Sequence, residues 1–503
     1  VELKVKPFVY VGGQPTALLN PNTASNLGVI DGSRVRCEFA GVARILFVAT
    51  SASIPKDHAG FDKMTAKALN VRSGKLVRVS YYPPPPSVSH IKKRLEGLQL
   101  NREEILAIVK DIVDGILNDT EICAFVIGQY FKGMTMEEVE CLTRSIAETG
   151  QKIDFGRTVY DKHSIGGVPG NKVSLVIVPI VAAAGLLIPK TSSRAITSPS
   201  GTADTMSVLA DVEFSPEEFK RISLKAGGSI VWGGRLGLAP ADDILIRRCE
   251  HPLGIDPPSQ MIASVLGKKI AVGAKYLVLD IPTGRGSKVE RTEDARSLAS
   301  SFMEIGTRVG IQVVCGITYG SQPVGHAVGP ALEAKEALEC LEGGGPISLR
   351  EKSTALAGVL LEMAGVATSG DGQTIAKQIL GSGKALKKMK EIIEAQGGNP
   401  NIRSQDVSIG SHMVSLLAPC DGYVSEVDNH SISEVAKAAG APSDIGAGVL
   451  LHGKRGYVVK KGEPVLDIYG EHESKVSDAY ALAQRLKPIT VEGMLLHRIP
   501  DIV

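Results

Sequence analysis

Four short runs near the start of the chain, Leu3–Val11, Ser33–Phe39, Ala43–Thr50 and Lys75–Tyr81, are rich in β-formers and several alternate apolar with polar side chains. Period-two alternation between turn residues predicts strands, so residues 1–84 read as an N-terminal β-rich domain. Its edge strands would be natural surfaces for oligomerisation. The run Tyr81-Tyr82-Pro83-Pro84-Pro85-Pro86 then predicts a stiff, extended spacer. Beyond it the period changes. Asn101 and Glu104 are spaced as a cap, and Ile105, Ile108, Val109, Ile112, Val113 and Ile116 recur on one helical face. Thr135 and Glu138 form a second capping box ahead of Val139, Leu142 and Ile146. Residues 85–160 therefore read as a helical domain, with part of 240–275 packed on it.

From 161 to 410 the pattern is strand, glycine-rich loop, helix, repeated. Ile188–Thr191, Ser229–Trp232, Tyr276–Ile281 and Gln312–Ile317 are apolar, β-branched runs between helical stretches. That alternation predicts an α/β sheet covered on both faces, with ligands beyond the carboxyl ends of its strands. In the tail, 411–503, Ala418-Pro-Cys-Asp-Gly-Tyr-Val and Val459-Lys-Lys-Gly-Glu-Pro-Val-Leu-Asp resemble half-motifs of biotinyl or lipoyl barrels. The attachment lysine in its hairpin is missing, which points to a structural α+β barrel-like domain that holds no carrier group. The whole reads as an α/β multi-domain protein.

Bulk properties narrow the function. A chain of 503 residues with 43% hydrophobic and 22% charged content is long enough for several packed domains. A net charge of +2 without a basic run, and 4% aromatics, argue against nucleic acid as partner. The 7 cysteines are dispersed and include no Cys-x-x-Cys, so reduced thiols in a cytoplasmic protein are expected. The run Val173–Leu187 is interrupted by Pro179 and is too short to span a bilayer. A small anionic ligand suits this chain better than a polymer or a membrane.

The densest chemistry lies in two loops. Asp161-Lys-His-Ser-Ile-Gly-Gly-Val-Pro-Gly-Asn-Lys-Val-Ser174 offers Lys162 and Ser164 on one side of a strand end, Gly166 and Gly167 beside them, and Ser174 in the first turn of a helix over Val173–Ala184. Cationic, hydroxyl and backbone N–H donors at a helix start suit a phosphate oxyanion. The P-loop pattern fails, because Gly170 is followed by Asn171 and then Lys172-Val173. An ordinary βα turn with a surface lysine accounts for the same residues. The second loop, Thr191 to Asp204, crowds Ser192, Ser193, Arg194, Thr197, Ser198, Ser200 and Thr202 behind a strand, more polar groups than a connector needs.

Further candidates are more ambiguous. Asp242 suits a helix cap. Ser264 and Lys268 are four apart and share a helix face, which with Arg248 could read a polar heterocycle; a solvated face explains Lys268 and Lys269 equally well. The loops Pro282–Lys288 and Gly320–Pro330 also follow strands, the second assigned to packing near the site. No His/Asp/Glu cluster has metal-ligand spacing, so no metal is expected.

The ordered set Lys-His-Ser-x-Gly-Gly, Ser-x-Arg, Gly-Thr-x-Asp, Ala-Pro-Ala-Asp, Ala-Ser-x-x-x-Lys-Lys and Gln-Pro-x-Gly-x-Ala-Val-Gly resembles the thymidine phosphorylase family over residues 90–500. The resemblance implies a helical domain facing a mixed α/β domain across a cleft, with a C-terminal α+β domain. It implies phosphate binding by Lys162, Ser164, Ser174, Ser192 and Thr202, base binding by Arg248, Ser264 and Lys268, and an active-site role for His163. Where thymidine phosphorylases read Arg-Gly-Leu-Gly-His-Thr-Gly-Gly-Thr, this chain has Arg194-Ala-Ile-Thr-Ser-Pro-Ser-Gly-Thr202. That departure, an insertion at Pro169-Gly170 and the extra N-terminal β-domain resemble the family's archaeal branch, the AMP phosphorylases. The branch implies nucleotide binding by Gly167, Ser193, Arg194, Ala195, Ile196, Thr197, Ser198, Thr202, Ser264 and Lys288, and catalysis by Asp256.

What the resemblance implies is phosphorolysis of a nucleoside 5′-monophosphate, AMP with CMP and UMP as further candidates, to ribose 1,5-bisphosphate and free base. Inorganic phosphate would be a co-substrate, with no cofactor, and the protein a homo-oligomer. Asp256 is the candidate proton donor to the base, with Ile255 and Pro257-Pro258 as an apolar surround that would raise its pKa; a helix cap or a structural ion pair fits it equally, and His163 could orient substrate or stabilise charge on the base. Alternatives are a pyrimidine nucleoside phosphorylase, an anthranilate-type phosphoribosyltransferase, whose Gly-Thr-Gly-Gly-Asp motif is missing, and a non-enzymatic assembly protein.

Overall fold

The computed structural model describes residues 1–8, 13–195 and 198–494. Its packing divides into two units: Val1–Thr149 with Pro240–Ser264, and Gly150–Ala239 with Val265–Val503.

The first unit opens with a closed six-stranded barrel in the order Glu2–Pro7, His58–Phe61, Thr16–Leu19, Val42–Thr50, Arg34–Phe39, Leu76–Tyr82. The inward positions of the alternation fill it, among them Leu3, Val5, Val35, Leu46, Val77 and Val79. Two strands of the barrel, Thr16–Leu19 and His58–Phe61, have 4 residues each, too few to display a period. Closure leaves no edge strand for the expected edge-to-edge pairing. The proline run is only partly a spacer: Pro86 is the first residue of the helix Pro86–Leu95, where its missing N–H costs nothing. Arg34 fastens the barrel to the helices, donating to the Ile116 carbonyl at 2.7 Å and pairing with Glu121.

Both expected capping boxes are present, at the helices Arg102–Val113 and Met136–Glu148, and Asn118 with Glu121 makes a third ahead of Asp119–Lys132. Pro240–Leu245 and a π-turn, Ile246–Glu250, complete this unit with the start of the helix Pro258–Ala271.

In the second unit, Gln312–Tyr319, Ala274–Thr283 and Val159–Ser164 pair in parallel, as do Ile188–Ser192 and Gly228–Trp232. A parallel bridge between Val159 and Leu187 joins the two groups into one run of five. The first three strands in sequence therefore step one way from Val159–Ser164, and the last two step the other way. This reversal makes the crevice beyond Ser164 and Thr283 the topological switch point. The helix Ser174–Ala183 is apolar on every side and correspondingly buried from Ser174 to Ala182. It shares one core with Leu356, Leu360, Met389 and Ile392.

The tail corrects the expectation of a barrel. It has two antiparallel sheets, one of four strands and one of three, with helices Asn429–Ala438 and Glu473–Leu486. The three-stranded sheet ends in Val458–Val459, only 2 residues long, and the other takes in Ala327–Val328 from upstream, so no closed barrel forms here among the described residues. No helix of the described residues is long and apolar enough to cross a membrane.

Candidate functional site

Three loops of the second unit meet at the switch point. The first, after Ser164, runs into the helix Ser174–Ala183. Gly167 adopts φ +100°, and a Cβ there would lie 2.6 Å from the Lys288 backbone nitrogen, so a glycine is what lets this loop lie against the loop Gly284–Lys288. Gly170 is similarly constrained: its Cβ would stand 2.8 Å from the carbonyls of Val324 and Ala327, in the third loop. That loop is held from below by two buried lysines. Lys172 donates to the carbonyls of Val324 (3.0 Å) and Ala327 (2.9 Å) and pairs with Glu336; Lys454 donates to those of Pro323 and Gly325.

At the end of Val159–Ser164, Lys162 is buried and its ammonium donates to Ser174 Oγ at 3.3 Å. Burial draws the Lys162 pKa down to about 8, although Asp280 and Asp161 pull the other way. Ser164 is partly exposed and gives its hydroxyl proton to Asp280 at 2.5 Å. Asp280 is fully buried; Thr318 donates to its other oxygen at 2.5 Å, Lys352 stands 3.0 Å away, and Asn171 adds a longer contact at 3.4 Å. Burial works to raise the Asp280 pKa, but Lys352, Lys162 and the two hydroxyl donors outweigh it and hold the carboxyl ionised.

Beside this lies a second buried group. Asp161 accepts from its own strand at Lys162 N–H (2.7 Å) and from Lys269 at 2.6 Å, a fully buried ion pair. Lys269 is thus not on a solvated face. Lys190, buried in Ile188–Ser192, donates to the Thr191 carbonyl, and its pKa is pushed well below the ordinary value by burial and then by Lys269. Burial, Lys269, Lys190, Lys268 and Lys162, in that order, keep the partly exposed His163 neutral.

The loop from Thr191 to Asp204 is organised by Asp204, at the third position of the helix Thr202–Ser207. Its carboxylate accepts the N–H groups of Ala195 (2.6 Å) and Gly201 (3.0 Å) and a guanidinium N–H of Arg194 (3.1 Å). Arg194 also pairs with Glu213 at 2.9 Å and lies over the Trp232 ring, so its charge is engaged by the protein. Ser192, Ser198 and Thr202 remain at least partly exposed, and Ser193 and Lys288 are exposed. Ile196 and Thr197 lie outside the described residues.

Arg248, Asp256 and Ser264 belong to the first unit. Arg248 donates to Asp119 and to the Gly13 carbonyl, both at 2.9 Å. Ser264 and Lys268 are one turn apart on Pro258–Ala271 and both partly exposed. Asp256 is exposed, contrary to the expected apolar surround: Gly254, in a left-handed conformation, ends the preceding helix, and Pro257 rather than Asp256 turns inward. Sequence reasoning missed Asp161, Lys190, Asp204, Asp280 and Lys352 as parts of the site. Asp161 and Asp204 stand inside the motifs already singled out; nothing near Lys352 in sequence marks it.

The chain matches three families in succession: the glycosyl transferase family helical bundle domain over residues 88–150, the glycosyl transferase family a/b domain over 156–386, and the pyrimidine nucleoside phosphorylase C-terminal domain over 423–490. It is 50% identical to the AMP phosphorylase of Thermococcus kodakarensis over the whole of both chains. To AMP phosphorylase 1 of Archaeoglobus fulgidus it is 50% identical over 97% of each, and to the AMP phosphorylase of Pyrococcus furiosus 48% over 99% of each. Among solved structures, anthranilate phosphoribosyltransferase from Thermus thermophilus superposes with a TM-score of 0.52, covering 61% of this chain and 99% of its own at 20% identity. At that identity the likeness is one of fold.

Proposed function

Because the chain belongs to the AMP phosphorylase family, we propose that it is the phosphorolytic enzyme of a nucleoside 5′-monophosphate, AMP first, yielding ribose 1,5-bisphosphate and free base. The observation that supports this reading most is electrostatic. Lys162 and Lys190 are buried beside His163 at the switch point, and neither has a carboxylate within ion-pair distance among the described residues. Burial without a direct ion pair disfavours the charged form of both amines, even with Asp161 nearby, and an anionic ligand offsets that penalty. A reaction with a phosphate nucleophile and a phosphorylated substrate supplies two anions.

In this reading Lys162, Ser164, Ser174, Ser192 and Thr202 hold inorganic phosphate. Gly167, Ser193–Ser198, Thr202, Lys288, Ser264, Arg248 and Lys268 hold the nucleotide. A phosphate oxygen forms the bond to ribose C1′ as the glycosidic bond breaks, and the electron pair leaves with the base. Positive charge grows on the ribose, where the phosphate dianion stabilises it. The base takes a proton from Asp256. The neutral His163 suits orientation of substrate beside the lysines. Phosphate is the co-substrate, no cofactor is needed, and the protein works in the cytoplasm as a homo-oligomer, a dimer unit assembled further through the barrel.

Incubation with phosphate and a panel of AMP, CMP, UMP and the corresponding nucleosides tests the reading. Free base should appear from nucleotides, only with phosphate present, and not from nucleosides. Release from nucleosides alone would make it a nucleoside phosphorylase, and phosphate-independent release would exclude phosphorolysis.

A further inference from the structure

Ser164 is placed differently from an ordinary phosphate-binding hydroxyl. Its one proton is already committed. The Asp280 carboxylate, 2.5 Å away, has no proton to give, because Lys352 lies 3.0 Å from it and Thr318 donates to its second oxygen at 2.5 Å. Ser164 must therefore be the donor in that contact. A hydroxyl–carboxylate bond of this length is of the charge-assisted kind, about twice as strong as a neutral one. Ser164, a partly exposed residue, then has only Oγ lone pairs left to offer a ligand. Asp280, in turn, is fixed from four directions: two neighbouring strands through Ser164 and Thr318, the loop residue Asn171, and Lys352 on the helix Ile347–Met363.

We propose that Asp280, anchored by Lys352, is a positioning residue that turns Ser164 into a hydrogen-bond acceptor, so that the anion site selects a tetrahedral oxyanion carrying its own proton. Hydrogen phosphate and hydrogen arsenate have an O–H to donate to Ser164 Oγ. Sulfate, of the same size and charge, has none and would face the lone pairs of Ser164 with its own. The inference rests on the reading that Ser164 lines the phosphate site, and it adds what that residue recognises there. The donors Lys162 and Ser174 supply attraction that phosphate and sulfate share; Ser164 supplies the difference.

Calorimetric binding of phosphate and of sulfate to the full chain near neutral pH tests this independently of turnover. The wild type should bind phosphate about ten- to a hundredfold more tightly than sulfate, the worth of one charge-assisted hydrogen bond. Ser164→Ala should weaken phosphate by that factor and leave sulfate unchanged or tighter. Asp280→Asn keeps the shape but loosens the hold on the Ser164 proton, which becomes able to turn outward, so sulfate binding should improve relative to phosphate. Equal affinities in the wild type, or a Ser164→Ala variant that loses both anions equally, would overturn the proposal and make Ser164 an ordinary donor. A Ser164→Ala variant that affects neither anion would remove Ser164 from the site altogether. Should the nucleotide panel show no phosphorolysis while anion binding follows the expected pattern, the functional reading would fall and the selectivity stand.

Discussion

At the scale of single residues, the cationic groups set the chemistry. Lys162 is held below its ordinary pKa, at about 8, mainly by burial. In the unliganded site its charge is therefore complete below that pH and is lost as pH rises through it, so phosphate binding above pH 8 must be accompanied by proton uptake. The KM for phosphate should rise toward tenfold per unit above about pH 8. Lys162→Ala should raise that KM by roughly ten- to a hundredfold and abolish the pH-dependent limb. Near-normal phosphate saturation in the variant would eliminate Lys162 as a ligand. The proton delivered to the base is a separate matter. Asp256→Asn preserves shape without a transferable proton, so turnover should fall by about a hundred- to ten-thousandfold while nucleotide affinity changes much less. The loss should be smaller for bases that leave readily as anions. If the variant instead loses nucleotide affinity and keeps its turnover at saturation, Asp256 is a binding residue and His163 becomes the first candidate for the acid.

At the scale of elements, the site is a consequence of where loops leave parallel strands. Gly167 joins two of them, and Gly167→Ala would force a non-glycine residue to φ +100° with its Cβ 2.6 Å from the Lys288 backbone. A conformation of that kind costs on the order of 1–3 kcal/mol, and the loop can relieve it by moving away. The expected result is a KM for nucleotide raised about tenfold with the melting temperature nearly unchanged, since the core under the loop is untouched; a fully active variant would mean that the contact between the loops is dispensable. Elements of this kind were legible in the sequence where a strong local signal exists. The capping boxes at Asn101 and Thr135 and the buried helix Ser174–Ala183 were readable from spacing and apolar content alone. The strands Thr16–Leu19 and His58–Phe61 were not, because 4 residues show barely two periods. The tail misled: its phrases resemble half-motifs of a barrel, yet one of its sheets takes in the strand Ala327–Val328 from upstream, an arrangement no local pattern encodes.

At the scale of the whole molecule, the site draws on segments far apart in sequence, and this limits what a linear reading recovers. Lys162 and Ser164 announce themselves beside glycines, but Lys352 is an unremarked lysine on the helix Ile347–Met363 until the fold brings it to Asp280. Lys190 likewise reads as an interruption in an apolar strand, and Lys269 as a surface charge, until Asp161 is seen beneath them. Assembly is the remaining property of this scale. The closed barrel has no unpaired edge, so association through it must use side-chain faces rather than strand addition. Ile30 and Met64 are large apolar residues left 77% and 73% exposed on this domain, with Leu76 and Tyr81 more than half exposed. A contact surface on this domain would draw on exposed apolar side chains such as these. Replacing Ile30 and Met64 together with glutamate adds charge to that surface without touching the barrel core of Leu3, Val35 and Val77. Light scattering should then report smaller particles, while phosphorolysis per subunit persists because neither residue belongs to the anion site. An unchanged mass would exclude these barrel faces as the assembly surface, and a loss of activity accompanying the smaller mass would mean that the anion site is complete only in the larger assembly.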